Sequence, residues 1–242
     1  MNALRFFTMK ARAASGARSS RNCKQIAQQK GRNCASERAE TYLRARGITL
    51  GGENSALRFH PKCWHRDEGQ IKPTPRPALI AAVTDGAEAL QGVHRTWLAP
   101  DGQDKAAVDT PRRAMGHILG NAVRIAPADQ TLVLGEGIET MLSVREAAPF
   151  LPVWAALSSG HLGAVLLPAG LQRLYIAIDR DPAGQRAAER LTARATEAGI
   201  AVRVLEPRLG DFNDDLRANG AEALLQHLAA QICPEDRHRL PI

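Results

Sequence analysis

The spacing of hydrophobic positions changes near residue 130. Upstream, apolar residues come in isolated short groups. Ala39, Tyr42, Leu43 and Ala45 mark one side of a helix over residues 36–48, with Ser36 as its cap and Gly47 at its end. Residues 57–61 predict a short strand, and residues 62–76, polar and rich in proline, predict a loop. Ala78–Thr84 and Gly92–Leu98 predict two strands joined through Asp85-Gly86, a hairpin. A polar loop, Asp101–Lys105, leads into an irregular stretch that reaches about Asp129. Downstream, short apolar runs alternate with helical segments. Strands are predicted over 131–134, 153–157, 174–178 and 201–205, and helices over 138–148, 182–199, 212–219 and 221–231. The run at 174–178 reads as a strand buried on both faces, and Pro182 suits the first turn of the helix that follows. The expected architecture is therefore α/β. A parallel sheet flanked by helices (130–232) follows a small α+β subdomain (36–129), with a tail at 233–242.

Composition narrows the classes. The chain has 242 residues, 44% hydrophobic and 24% charged, enough for a real core and incompatible with wholesale disorder. Four cysteines without framework spacing point to a reducing, cytoplasmic setting. The uncharged stretch 147–172 is broken by Pro149, Pro152, Gly160, Gly163, Pro168 and Gly170, so no membrane span is expected. The net charge of +7 is unevenly placed. The first 36 residues hold eight basic side chains and no acid, leaving 24 basic against 25 acidic in the remainder. Residues 1–35 read as a basic disordered arm. Its composition suits contact with nucleic acid phosphates, a transit peptide, or an extension without function.

Three acidic groups fall where strands of the second half should end. Glu136, between Gly135 and Gly137, follows Leu132-Val133-Leu134. Asp179-Arg180-Asp181 follows Tyr175-Ile176-Ala177-Ile178. Asp211-Phe212-Asn213-Asp214-Asp215 comes soon after Val202–Leu205. In open α/β sheets the ligand crevice lies outside the carboxyl ends of the strands. Carboxylates gathered there repel one another unless a cation sits among them. Oxygen ligands suit Mg²⁺, which also binds substrate phosphates, so the pattern points to metal-dependent chemistry on phosphoryl groups. The flanking glycines are expected to give a sharp turn and close substrate approach. Thr140 stands where a dinucleotide fingerprint needs its third glycine.

This series resembles the Toprim domain over about residues 130–232, and most closely the primase-like Toprim proteins of plasmids, phages and integrated elements. A weaker resemblance to the segment preceding Toprim in those proteins runs back to about residue 36, through His94-Arg95-Thr96-Trp97. The resemblance implies Mg²⁺-dependent nucleotidyl transfer, with Mn²⁺ as a possible substitute, in the form of RNA primer synthesis for replication of a mobile element. It implies Glu136 as general acid/base, the pair Asp179 and Asp181 as metal ligands, and Asp211 and Asp214 as the later acidic motif that supports the metal. It implies single-stranded DNA and nucleoside triphosphates as partners. A replicative helicase would act from another chain, since no Gly-x-x-x-x-Gly-Lys loop occurs.

Other readings stand beside these. Asp179 and Asp181 suit turn positions before a helix that starts at Pro182, Asp211–Asp215 suits a helix cap, and Glu139 and Asp215 read as solvated helix residues. His94, Arg95, Lys105, Arg112 and Arg113 are candidates for meeting nucleic acid or nucleotide phosphates, or are surface charges of a hairpin and loop. His60, Cys63 and His65 form one short cluster without a second pair, which weighs against zinc. Two alternatives to a primase remain: a Toprim nuclease, and a non-catalytic module that binds nucleic acid or a helicase.

Overall fold

The computed structural model describes residues 37–49 and 54–241. The basic arm, with Cys23 and Cys34, lies outside them. Helix α1 (Glu37–Arg44) opens the described chain. An antiparallel sheet follows in the order β1 (Leu57–His65), β2 (Thr74–Thr84), β3 (Leu90–Trp97), β4 (Arg112–Gly116). A second sheet contains β5 (Val123–Arg124), β6 (Thr131–Gly135), β7 (Val153–Ala155), β8 (Arg173–Ala177) and β9 (Ala201–Leu205), in the order β5-β7-β6-β8-β9. Only β5 runs antiparallel in it. Its helices are α2 (Ile138–Ala147), the single turn α3 (Ser159–Leu162), α4 (Pro182–Glu197) and α5 (Phe212–Gln231).

The hairpin and the alternating half form as expected, and the differences have local causes. The stretch expected as a Pro-rich loop is largely strand. Pro61 falls on the edge strand β1, where the register with β2 shifts between His60 and Cys63. An edge or a bulge tolerates a residue without an N–H. Pro75 and Pro77 precede Ala78, where β2 first pairs on both sides. Strands β4 and β5 lie in the stretch expected to be irregular. Their residues, Arg112–Gly116 and Val123–Arg124, show no apolar alternation, and cross-strand pairing alone defines them. Gly220, at φ 81° and ψ 170°, interrupts α5, so the two helices expected there meet at a kink.

All of β6 is buried, as a central strand covered on both faces requires. One core lies between this sheet, α2 and α5, and continues to Tyr42 of α1 and to Leu57, Leu79 and Val83 of the antiparallel sheet. The opposite face packs on α4 through Ala187, Leu191 and Ala195. A small third core, with Cys63, Ile80, Val93 and Trp97, fills the far side of the antiparallel sheet. The Thr84 N–H donates to the Ala122 carbonyl (3.0 Å), joining the sheets at their margin. No helix among the described residues is long and apolar enough to cross a membrane.

The segment expected as a tail folds back. A 3-10 turn, Pro234–Arg239, brings Asp236 under the parallel sheet. Its carboxylate accepts hydrogen bonds from Arg173 (2.6 Å) and the Tyr175 hydroxyl (2.7 Å). Removing the buried carboxylate leaves the Tyr175 hydroxyl without its acceptor and the partly exposed Arg173 without its counter-ion. Asp236→Ala is expected to destabilise the fold by about 2 kcal/mol in urea unfolding, far more than loss of a free tail.

Candidate active site

The connections set the site. The chain moves from β6 through α2 to β7 on one side, then crosses to β8 on the other side of β6. This reversal opens a crevice at the carboxyl ends of β6 and β8. Gly135 and Ala177 are register partners at those ends, and the next residues carry Glu136 and Asp179 to the crevice. Gly135 has a packing role here, not the expected turn. A Cβ at that position would lie 2.9 Å from the Ala177 carbonyl oxygen and 2.3 Å from Met141 Sδ. Gly135→Ala is therefore expected to lower Tm by several degrees, about 1–3 kcal/mol of overpacking.

A cleft of about 600 Å³ lies between the two halves. Glu136, Asp179, Asp211 and Asp214 line it from the parallel-sheet side, and His94, Lys105, Arg112 and Arg113 from the antiparallel side. Eight of the ten candidate residues thus share one cleft. Asp181 does not line it but lies close enough for its charge to raise Glu136 and Asp179. Its Oδ1 caps α4, accepting from the Gly184 N–H at 2.6 Å. Arg95 is placed elsewhere. Strand alternation turns it away from the His94 side, and its guanidinium stacks over Trp97 at 4.8 Å. Arg113 reaches the cleft edge while donating to the Arg66 carbonyl (2.9 Å) and to Thr110 Oγ1.

Two of the acidic residues, Asp179 and Glu136, are perturbed by burial and by their acidic neighbours. Asp179 is pushed up to about 7, chiefly by burial, then by the charges of Asp211, Glu136 and Asp181. Its Oδ1 is buried with no hydrogen-bond partner among the described residues. Glu136 is also raised, by burial and then by Asp181, although the Ser159 N–H donates to it. Asp211 caps α5 through the Asp214 N–H (2.8 Å) and also accepts from Thr140 Oγ1 (3.3 Å). Its capping and cleft positions coexist. An unpartnered buried carboxylate oxygen facing other carboxylates fits a hard divalent cation. Among the described residues, no three His, Cys, Asp or Glu side chains form a cage by themselves. Mg²⁺ needs none, because it retains waters and takes one or two carboxylates plus phosphate oxygens.

His94 is buried and pulled down to about 4, burial being the main cause, so it is neutral at pH 7 and brings no charge to the basic wall. Its depressed folded value means that between about 6.5 and 4 the unfolded chain binds a proton that the fold excludes. Stability from this group is present above pH 6.5 and lost as pH falls through that window. His94→Gln should therefore gain on wild type by up to about 3 kcal/mol from pH 7 to pH 4 in paired thermal melts.

Other functional-site residues carried no recognised signal in the sequence. Arg46, Glu139, Thr140, His161 and Asn213 also line the cleft. Glu139 and Asp215 are buried, contrary to the expectation of solvated helix positions. Asp215 accepts from the N–H groups of Arg208 (2.7 Å) and Leu209 (2.8 Å), fixing the loop before Asp211. His60, Cys63 and His65 lie on β1, and Cys63 and His65 turn into the small core. The Trp97 indole donates to the Cys63 carbonyl (3.1 Å) and meets the His65 ring edge-on at 4.5 Å.

The fold and cleft define an α/β domain with an acidic site at its strand switch, docked on an antiparallel sheet with a basic face. Residues 131–222 match the Toprim domain family, and this part of the chain is a Toprim domain. Residues 17–125 match a domain of unknown function, DUF7146. No curated protein matches the sequence. Among solved structures, a DNA primase domain from Pseudomonas aeruginosa is similar at 17% identity and TM-score 0.60, covering 91% of this chain and 81% of that one. The DnaG primase catalytic domain bound to ssDNA aligns at 16% identity and TM-score 0.60, covering 94% and 91%. The primase fragment of the bacteriophage T7 primase-helicase protein aligns at 17% identity and TM-score 0.54, covering 78% and 73%. The chain has the fold of these primase catalytic cores.

Proposed function

We propose that this protein is a primase-like nucleotidyltransferase that makes RNA primers on single-stranded DNA, in replication of a mobile element. The observation that carries the reading is the single cleft that sets Glu136, Asp179 and Asp211 against Lys105 and Arg112. A metal-held phosphate and a basic wall together suit a triphosphate and a template strand. The fold shared with the primase cores supports the same reading.

Asp179 and Asp211 would hold Mg²⁺, with Asp181 and Asp214 adding negative charge beside them. A bound Mg²⁺ offsets charge on the phosphoryl group and orients the attacking oxygen. The 3′-hydroxyl oxygen of the growing primer bonds to the α-phosphorus of the incoming nucleotide as the bond to pyrophosphate breaks. Glu136 takes the hydroxyl proton. Burial and the Asp181 charge raise its pKa, which makes it a stronger base than an ordinary carboxylate. Lys105, Arg112 and Arg113 bind phosphate oxygens, and the neutral His94 shapes the wall between them. With 4% aromatic residues, the protein holds its template through backbone charge more than through stacking.

The test combines an end-labelled single-stranded DNA with differently labelled nucleoside triphosphates and Mg²⁺. The expected result is new labelled oligonucleotide with the DNA intact. A shortened DNA would assign a nuclease instead. Binding without either product would assign a non-catalytic module.

A further inference from the structure

Glu139 lines the same cleft, yet the proposed chemistry leaves it without a role. It is 8% exposed and lies one helical turn beyond Glu136 on α2. The Tyr42 hydroxyl donates to its Oε1 at 2.6 Å, and Lys105 Nζ stands 3.9 Å from the same oxygen. Burial alone would raise Glu139, but Lys105 and the Tyr42 hydrogen bond more than offset it, so the side chain is charged. A buried carboxylate is not needed for packing, since an apolar residue of similar volume serves stability as well or better. What the anion does have is a cation on the cleft wall.

The loop bearing that cation is fixed from both sides. Asp104 accepts from the Lys105 N–H (2.7 Å) and from the Arg46 guanidinium (2.6 Å). Arg46 in turn stacks over the Tyr42 ring at 4.6 Å. The 3.9 Å separation exceeds a hydrogen bond, so Glu139 attracts the ammonium without engaging its N–H groups. They stay available to a phosphate in the cleft.

We infer that Glu139, braced by Tyr42, is a positioning residue that aims Lys105 at the triphosphate of the incoming nucleotide, an inference that rests on the nucleotidyl-transfer reading. Helix α1 then belongs to the catalytic unit, because it supplies the brace. The arrangement ties nucleotide affinity, more than the chemical step, to a carboxylate that touches no substrate.

The test measures MgATP binding at equilibrium and steady-state primer synthesis for wild type, Glu139→Gln, Tyr42→Phe, Lys105→Met and the Glu139→Gln/Lys105→Met double variant. Glu139→Gln is expected to weaken MgATP binding and raise its KM about tenfold while kcat stays within about threefold. Tyr42→Phe, which keeps the ring packing, should shift KM in the same direction by less. The double variant should bind no worse than Lys105→Met alone, because both changes remove one interaction. A purely structural role would instead lower Tm and leave KM alone. Should Glu139→Gln fail to fold, an unchanged KM in Tyr42→Phe overturns the inference. So does wild-type or tighter MgATP binding by Glu139→Gln, or additivity with Lys105→Met. If wild type makes primers but Glu139→Gln keeps its KM, only this inference falls. If wild type neither binds MgATP nor makes product, the nucleotidyl-transfer reading falls with it.

Discussion

Glu136→Gln is expected to cut primer synthesis at least about 100-fold while leaving the fold and single-stranded DNA affinity near wild type, because it removes a general base of otherwise equal size. The residue sits immediately after β6, half-buried at the crevice, and its hydrogen bond is to the Ser159 backbone. The glutamine amide can meet the cleft without disturbing β6 or α2. The loss should appear in kcat with little change in nucleotide KM, since the proposed role of Glu136 lies in the reaction step and not in holding the triphosphate. A loss confined to KM would assign Glu136 to binding.

Asp179→Asn is expected to have two opposite effects. Activity should fall at least about 100-fold, because the buried carboxylate that suits the cation is neutralised. The metal-free protein should nevertheless become more stable at pH 8. The folded-state value of about 7 lies above the unfolded value of about 3.9. Between those values the fold binds a proton that the unfolded chain has lost, so the metal-free protein loses stability as pH rises through that window. The asparagine variant escapes this loss. After discounting for partial exposure of the site, the gain at pH 8 is about 1–2 kcal/mol, a few degrees in Tm. Added Mg²⁺ should raise the melting temperature of wild type and not of the variant, by mass action. The signature is a variant that melts higher without Mg²⁺ and ignores Mg²⁺ when it is supplied.

Much of the parallel half was legible because its strands are short apolar runs and its acids stand just beyond them. Leu132–Leu134 and Leu174–Ile178 are buried on both faces, and such strands announce themselves without alternation. The hairpin was legible from Asp85-Gly86 and its flanks. Its alternation also separates His94 from Arg95, a signal present in the sequence that treating the basic residues as one group passes over. Strand β4 was not legible, since Arg-Arg-Ala-Met-Gly has neither a period nor β-branched residues. Glu139 was not legible for a different reason. Its burial is set by Tyr42, 97 residues away, and by Lys105 on a loop of the other sheet. Local pattern cannot anticipate a buried carboxylate whose partners come from distant segments. The final turn shows the same effect, with Asp236 buried only because Arg173 and Tyr175 await it under the sheet.

On the proposed reading, one acidic site, assembled at the ends of β6 and β8 and opposed by a basic wall, performs metal-dependent nucleotidyl transfer. The most direct measurement is primer synthesis on single-stranded DNA with labelled nucleoside triphosphates, run for wild type, Glu136→Gln and Asp179→Asn with and without Mg²⁺. Wild type is expected to give labelled oligonucleotide only when Mg²⁺ is present, and neither variant to give any above background. Product that survives both substitutions, or that forms equally well with Mg²⁺ chelated, would contradict this reading.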